Sequence, residues 1–160
     1  MDRDDFVAHF GGVFEESPWI AREAWESRPF GSVDALHAAM VWVVEHSPHA
    51  ARVELIRAHP DLAGKASTAG ELTPESTREQ AAAGLDRLSP AQYERIADLT
   101  AAYRERFGFP FVICAREHTP DSIIAAAERR LGAGPDEEEQ TALSEIAEIA
   151  RLRLADLVAP

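Results

Sequence analysis

His59 stands directly before Pro60 and Asp61, and this trio is the first arrangement in the chain able to do chemistry. Proline disfavours the helical conformation in the residue before it, so a helix expected over 48–58 ends at the histidine. The imidazole is then held at a stiff helix-to-loop junction, beside a carboxylate able to orient it. Histidine changes charge near neutrality, which suits proton transfer. The same placement also suits a basic residue that merely complements the negative end of a helix. The spacing alone leaves both readings open.

Ser76, Glu79, Gln80 and Ala83 fall at i, i+3, i+4 and i+7, so in a helix they share one face. A hydroxyl, a carboxylate and an amide side by side can read a substrate that both donates and accepts hydrogen bonds, with small alanines allowing close approach. A solvated polar face would have the same composition. Arg153 falls between Ile146 and Ile149 on the apolar arc of the last helix, whereas Arg151 points elsewhere. A buried guanidinium is costly unless paired, so Arg153 should meet an internal carboxylate, meet a bound anion, or snorkel to the surface.

Other candidates carry less. His46 and His49 are separated by Pro48 and have no metal-ligand spacing, and HExxH, GxGxxG, Walker and GxSxG patterns are all missing. Neither a metal nor an organic cofactor is expected. Cys114 is the single cysteine, which rules out an intrachain disulfide, and it lies in an apolar run where packing is the expectation.

The chain carries 16 basic against 28 acidic side chains, a formal charge of −12. Such a field repels phosphate backbones and anionic membrane surfaces, which argues against nucleic acid and membranes as partners. An anionic small substrate needs a local cation to override it. No apolar run approaches the roughly 20 residues that span a bilayer. Neither the acidic N-terminus nor Leu157-Val158-Ala159-Pro160 reads as a targeting signal, so a cytoplasmic protein is expected.

The elements that position these groups announce themselves by punctuation. Ser17-Pro18, Ser47-Pro48, Thr73-Pro74, Ser89-Pro90 and Thr119-Pro120 each precede a helix-like stretch. A hydroxyl at the N-cap accepts an orphan amide hydrogen, and proline at the first helical position has no amide to leave unpaired. Ser89 with Gln92 adds capping-box spacing. The pattern predicts an all-α fold, a single compact domain over 1–160 with about eight helices: 4–10, 18–27, 32–46, 48–58, 74–87, 90–106, 120–131 and 135–158. Apolar stripes run through Val33, Leu36, Met40, Val43 and Val44, through Tyr93, Ile96, Ala97, Thr100 and Tyr103, and through Leu143, Ile146, Ala150, Leu154 and Leu157. The acidic residues from Asp136 to Glu139 suit the positive end of the last helix. Two stretches break the rhythm: 60–71, rich in Gly, Ala and Ser, and the extended apolar run 108–114.

Taken together, these segments resemble the family of 2-oxo-4-hydroxy-4-carboxy-5-ureidoimidazoline (OHCU) decarboxylases over nearly the whole chain. The matching stretches are Phe14-Glu15-Glu16-Ser17-Pro18-Trp19, Ala58-His59-Pro60-Asp61-Leu62-Ala63-Gly64, Ser76-Thr77-Arg78-Glu79-Gln80-Ala81-Ala82-Ala83-Gly84-Leu85, Tyr103-Arg104-Glu105-Arg106-Phe107-Gly108-Phe109-Pro110-Phe111-Val112-Ile113-Cys114 and Ile149-Ala150-Arg151-Leu152-Arg153-Leu154. No functional position departs from the pattern.

The resemblance implies an all-α, homodimeric, cofactor-free enzyme of urate degradation acting on a small ureidoimidazoline. His59 would be the proton-transfer residue. Pro60, Ser76, Glu79, Gln80 and Arg153 would line the substrate site, Glu79 and Arg153 having catalytic duties as well. Phe111, Val112, Ile113, Cys114 and Ala115 would form a second binding stretch offering main-chain groups. The competing expectations are a catalytically silent helical interaction module of the same fold and a hydrolase of another ureide. The second lacks the metal or activated nucleophile such chemistry usually needs.

Overall fold

The computed structural model describes residues 1–62 and 72–159. Among them lie eight α-helices and no strand, as the capping pattern predicts. They are α1 (Arg3–Phe10), α2 (Trp19–Ala24), α3 (Val33–Glu45), α4 (His49–Arg57), α5 (Pro74–Ala82), α6 (Pro90–Phe107), α7 (Pro120–Arg130) and α8 (Pro135–Val158). Short 3-10 turns occupy Trp25–Ser27 and Ala115–Glu117. Of the irregular stretch expected over 60–71, residues 63–71 lie outside the described residues, and Ala63 and Gly64 with them. No helix among the described residues is long and apolar enough to cross a membrane.

The chain forms two compact units, Met1–Ala58 with Ile146–Pro160, and His59–Glu145. In the first, α2 packs on α1 and on α3, and Phe6, Ile20, Met40 and Leu55 are all buried. In the second, α6 packs on α7, and α5 lies against the Ala115–Glu117 turn. Its core centres on Tyr103 and Phe111, both fully buried, with their rings edge-on at 5.3 Å.

Three of the five hydroxyl–proline starts cap as expected. Thr73 accepts from the Ser76 amide at 3.2 Å, and Ser89 and Thr119 close reciprocal capping boxes with Gln92 and Ser122. Each such cap is worth about 1 kcal/mol. Ser17 and Ser47 do not cap. Their hydroxyls donate back to the carbonyls of Glu15 and Val44, and Pro18 and Pro48 take the cap positions instead.

The fifth helix ends at Ala82 rather than at 87. Gly84 adopts φ +80°, its amide bonds to the Ala81 carbonyl, and the Leu85 amide reaches back to that of Gln80 at 2.9 Å, a Schellman ending. The stretch expected as a helix over 18–27 tightens into a 3-10 turn from Trp25. Two stripe residues also differ from expectation: Tyr93 and Leu157 are exposed, while Leu99, outside the expected stripe, is buried.

Candidate active site

His59 follows the C-cap of α4, in a bend before Pro60, and is buried at 5% exposure. The helix does stop where the proline demands. Downstream, Leu62 is buried and the Asp61 carboxylate accepts from Arg104 Nη2 at 3.1 Å, tying the stretch after the histidine to α6. Both partners of that pair are more than a third exposed, so it fixes position more than it adds stability.

The polar face of α5 is turned inward. Ser76, Gln80 and Ala83 are buried and Glu79 is partly so, while Thr77 and Arg78 are exposed. A solvated face is therefore ruled out. Thr73 sets the start of this helix by capping the Ser76 amide, and Gly84 sets its end. Burying a hydroxyl and an amide costs free energy unless they are hydrogen-bonded, so such a face is retained for what it contacts.

Residues 111–114 lie in neither helix nor strand, Ala115 opens the 3-10 turn, and all five are buried. The stretch ends in the Ala115–Glu117 turn, against which packs α5, the helix that carries Ser76 and Gln80. The Val112 carbonyl accepts from Arg130 Nη1 at 2.7 Å, and the Cys114 amide donates to Glu145 Oε1 at 3.4 Å. Between these two, the main chain of Ile113 forms no hydrogen bond among the described residues. Buried peptide groups are almost always paired, so Ile113 offers a donor and an acceptor suited to a ligand or water.

Arg153 is buried at 4% exposure in the other unit, which decides against snorkelling to the surface. Of the partners that burial requires, it meets the internal carboxylate. Nη2 donates to Glu15 Oε2 at 2.8 Å, and Nη1 to the carbonyls of Gly12 and Val13 at 3.3 and 3.4 Å. Glu15 is followed by Glu16 at φ +47°, an uncommon conformation for a residue with a side chain.

A buried triad escaped the sequence reading. Arg130 Nε donates to Glu138 Oε1 at 2.7 Å, and the Tyr103 hydroxyl donates to the same oxygen at 2.6 Å. Glu138, expected as one of the residues serving the α8 dipole, is 1% exposed. Desolvation, then the hydrogen bond to Glu138, push the Tyr103 phenol well above the usual tyrosine range, although nearby Arg130 opposes this, so it stays a donor. The signal was present: Arg130 continues the stripe of Ile123, Ala126 and Ala127, and Glu138 that of Ala142 and Ile146. Among the described residues no three His, Cys, Asp or Glu side chains are grouped to hold a metal ion.

A family model described as OHCU decarboxylase matches residues 1–155. The chain is 48% identical over 156 residues to the 2-oxo-4-hydroxy-4-carboxy-5-ureidoimidazoline decarboxylase of Haloferax volcanii, a match covering 98% of this chain and 90% of that protein. It is 41% identical to the Mus musculus decarboxylase of the same name, over 99% of this chain and 89% of that one. Among solved structures it resembles an (S)-allantoin synthase, with TM-score 0.76 and 28% identity over 99% of this chain and 51% of the other. It also shares the fold of an OHCU decarboxylase crystallised in the presence of (S)-allantoin, with TM-score 0.74 and 23% identity over 98% and 99%.

Proposed function

The chain belongs to the OHCU decarboxylase family, and from that premise we propose that His59 moves the proton while the inward face of α5, the stretch 111–115 and Arg153 hold the substrate. The protein is a carboxy-lyase of urate degradation that converts OHCU to (S)-allantoin. In our reading the whole of 1–160 acts as one such domain, assembled as a homodimer; sedimentation equilibrium returning a single chain mass would discard the dimer.

Decarboxylation needs an electron sink for the breaking C–C bond, and OHCU carries its own. The carbon bearing hydroxyl and carboxylate adjoins a ring C=N bond, so the electron pair released with carbon dioxide flows into it, the ring nitrogen takes up a proton from solvent, and an enol is left. The hydroxyl then loses a proton as the carbonyl forms, and the ureido-bearing carbon gains one. His59 relays this proton, and delivery from one fixed side makes a single enantiomer. Glu79 and Gln80 orient the ureido and ring amides, and Ser76 and Pro60 also line the substrate site. Arg153 holds an anionic oxygen, and the main chain of Ile113 pairs with ring amide groups.

The observation that carries this reading is the burial of Ser76 and Gln80 on one helix face in the compact unit that also buries His59. A chiral assay tests it. Freshly generated OHCU should give one allantoin enantiomer faster than buffer does, and His59→Asn should abolish both the rate and the enantiomeric excess. Racemic product at the buffer rate from the unaltered protein would indicate a silent module instead.

A further inference from the structure

The buried triad of Arg130, Glu138 and Tyr103 has no part in the proton transfer, yet one of its hydrogen bonds leaves it for the main chain of the binding stretch. The guanidinium engages three partners, with Nε on Glu138, Nη1 on the Val112 carbonyl and Nη2 on the Tyr103 hydroxyl at 3.5 Å. Its central carbon also lies 4.5 Å from the centroid of the Phe111 ring. All three side chains are buried, and the Arg130–Glu138 pair is almost wholly withdrawn from water. Such an ion pair is a poor way to stabilise a core, because well-packed apolar residues of similar volume often do as well or better. What apolar residues cannot do is hold a carbonyl oxygen at 2.7 Å and a ring in a fixed plane one residue earlier. On the other side of Ile113, Glu145 grips the Cys114 amide.

We propose that Arg130, held by Glu138 and Tyr103, is a positioning residue that works with Glu145 to clamp the peptides on either side of Ile113, presetting the main-chain groups of that residue for the substrate. Arginine is required because its planar fork serves the carboxylate and the carbonyl at once, which a lysine ammonium on a single stem does not reproduce. Presetting cuts the ordering cost of binding, so losing the clamp shows in KM more than in kcat. The inference rests on the reading that 111–115 contacts substrate.

The test combines kinetics with amide hydrogen exchange on the full chain, using (S)-allantoin as the probe ligand. In the unaltered protein, allantoin should slow exchange in 111–115. Arg130→Lys, checked for folding by its thermal transition, should raise KM for OHCU about tenfold, the effect of one well-made hydrogen bond, with kcat within about threefold. Its allantoin-dependent protection of 111–115 should vanish, while protection near Ser76 and Gln80 remains. Should Arg130→Lys fail to fold, Glu145→Ala, altering a partly exposed residue, serves in its place and should show the same KM-against-kcat split. An unaltered protein without protection in 111–115 removes the binding stretch and the clamp together. Protection in the unaltered protein that persists in a folded variant with unchanged KM overturns the clamp alone.

Discussion

Arg153 and Glu15, 138 positions apart in the sequence, are joined at 2.8 Å with both side chains at most 5% exposed. The guanidinium that the proposed mechanism uses to hold an anionic oxygen therefore already neutralises a carboxylate of the protein. Removing one partner of a buried pair strands the other, at a cost of about 3–5 kcal/mol. Glu15→Gln should lower unfolding free energy in urea by that order, and a loss below about 1 kcal/mol would mean the pair behaves like an exposed bridge. The double variant Glu15→Gln, Arg153→Met should recover much of the stability but not substrate capture. A KM equal to that of the unaltered enzyme in this double variant would remove Arg153 from the site.

Replacing His59 by asparagine keeps a polar side chain at the helix exit and removes the titrating ring. Loss of a positioned acid–base group should reduce kcat by about 10²–10⁴, with KM little changed. Circular dichroism of the product should show racemic allantoin. Retained enantiomeric excess would assign the proton to another group.

On the inward face of α5, Gln80→Leu keeps volume and deletes both the donor and the acceptor. The helix should persist, since leucine is a strong helix former, while KM rises about tenfold or more. The neighbouring exposed change Thr77→Ala should leave KM untouched. Equal effects at the two positions would show that the face has no special role.

The Tyr103 phenol gives a pH prediction. Its folded pKa lies above that of the unfolded chain, so its contribution to stability is fully present below about pH 10 and is lost as pH climbs beyond it. Tyr103→Phe should be less stable at neutrality by about 1.5–3 kcal/mol, the range for a hydrogen bond to a charged group. Its unfolding free energy should fall less steeply between pH 10 and 11.5. Parallel alkaline slopes for the two proteins would contradict the assigned shift.

Gly84 offers a stability prediction. A Cβ there would meet Pro120 Cγ at an ordinary 3.5 Å, so the cost of Gly84→Ala is conformational, from φ +80°. About 1–2 kcal/mol is expected, read from the urea midpoint. A neutral outcome would mean that the end of α5 readily adopts another turn.

How much could be read from the residues follows from how local each signal is. Thr73, Ser89 and Thr119 capped as read because cap and amide lie three residues apart. Ser17 and Ser47 did not, since a nearby carbonyl competes for the same hydroxyl, and order in the sequence does not decide that contest. Gly84 marks the end of α5, but the run of alanines before it equally suits a helix that continues. Helical phase puts Arg153 on the apolar arc of the last helix but does not decide between burial with a partner and snorkelling, and its partner Glu15 lies at the far end of the chain. Arg130 and Glu138 called for the same phase argument, but a terminal basic residue and an acidic first turn each had a simpler local explanation. The role proposed for 111–115 rests on family resemblance, because main-chain groups leave no side-chain signature.

The Thr73 cap has a consequence for how this protein can change length. Ser76, Glu79, Gln80 and Ala83 are phased from that cap, and each added residue in an α-helix turns everything after it by about 100°. One residue inserted between 74 and 75 would move Ser76 and Gln80 into the places now held by Thr77 and Ala81, and would bring Glu75, Arg78 and Glu79 to the inward places of 76, 79 and 80. Between Thr73 and Gly84, then, the chain tolerates substitutions far better than insertions or deletions.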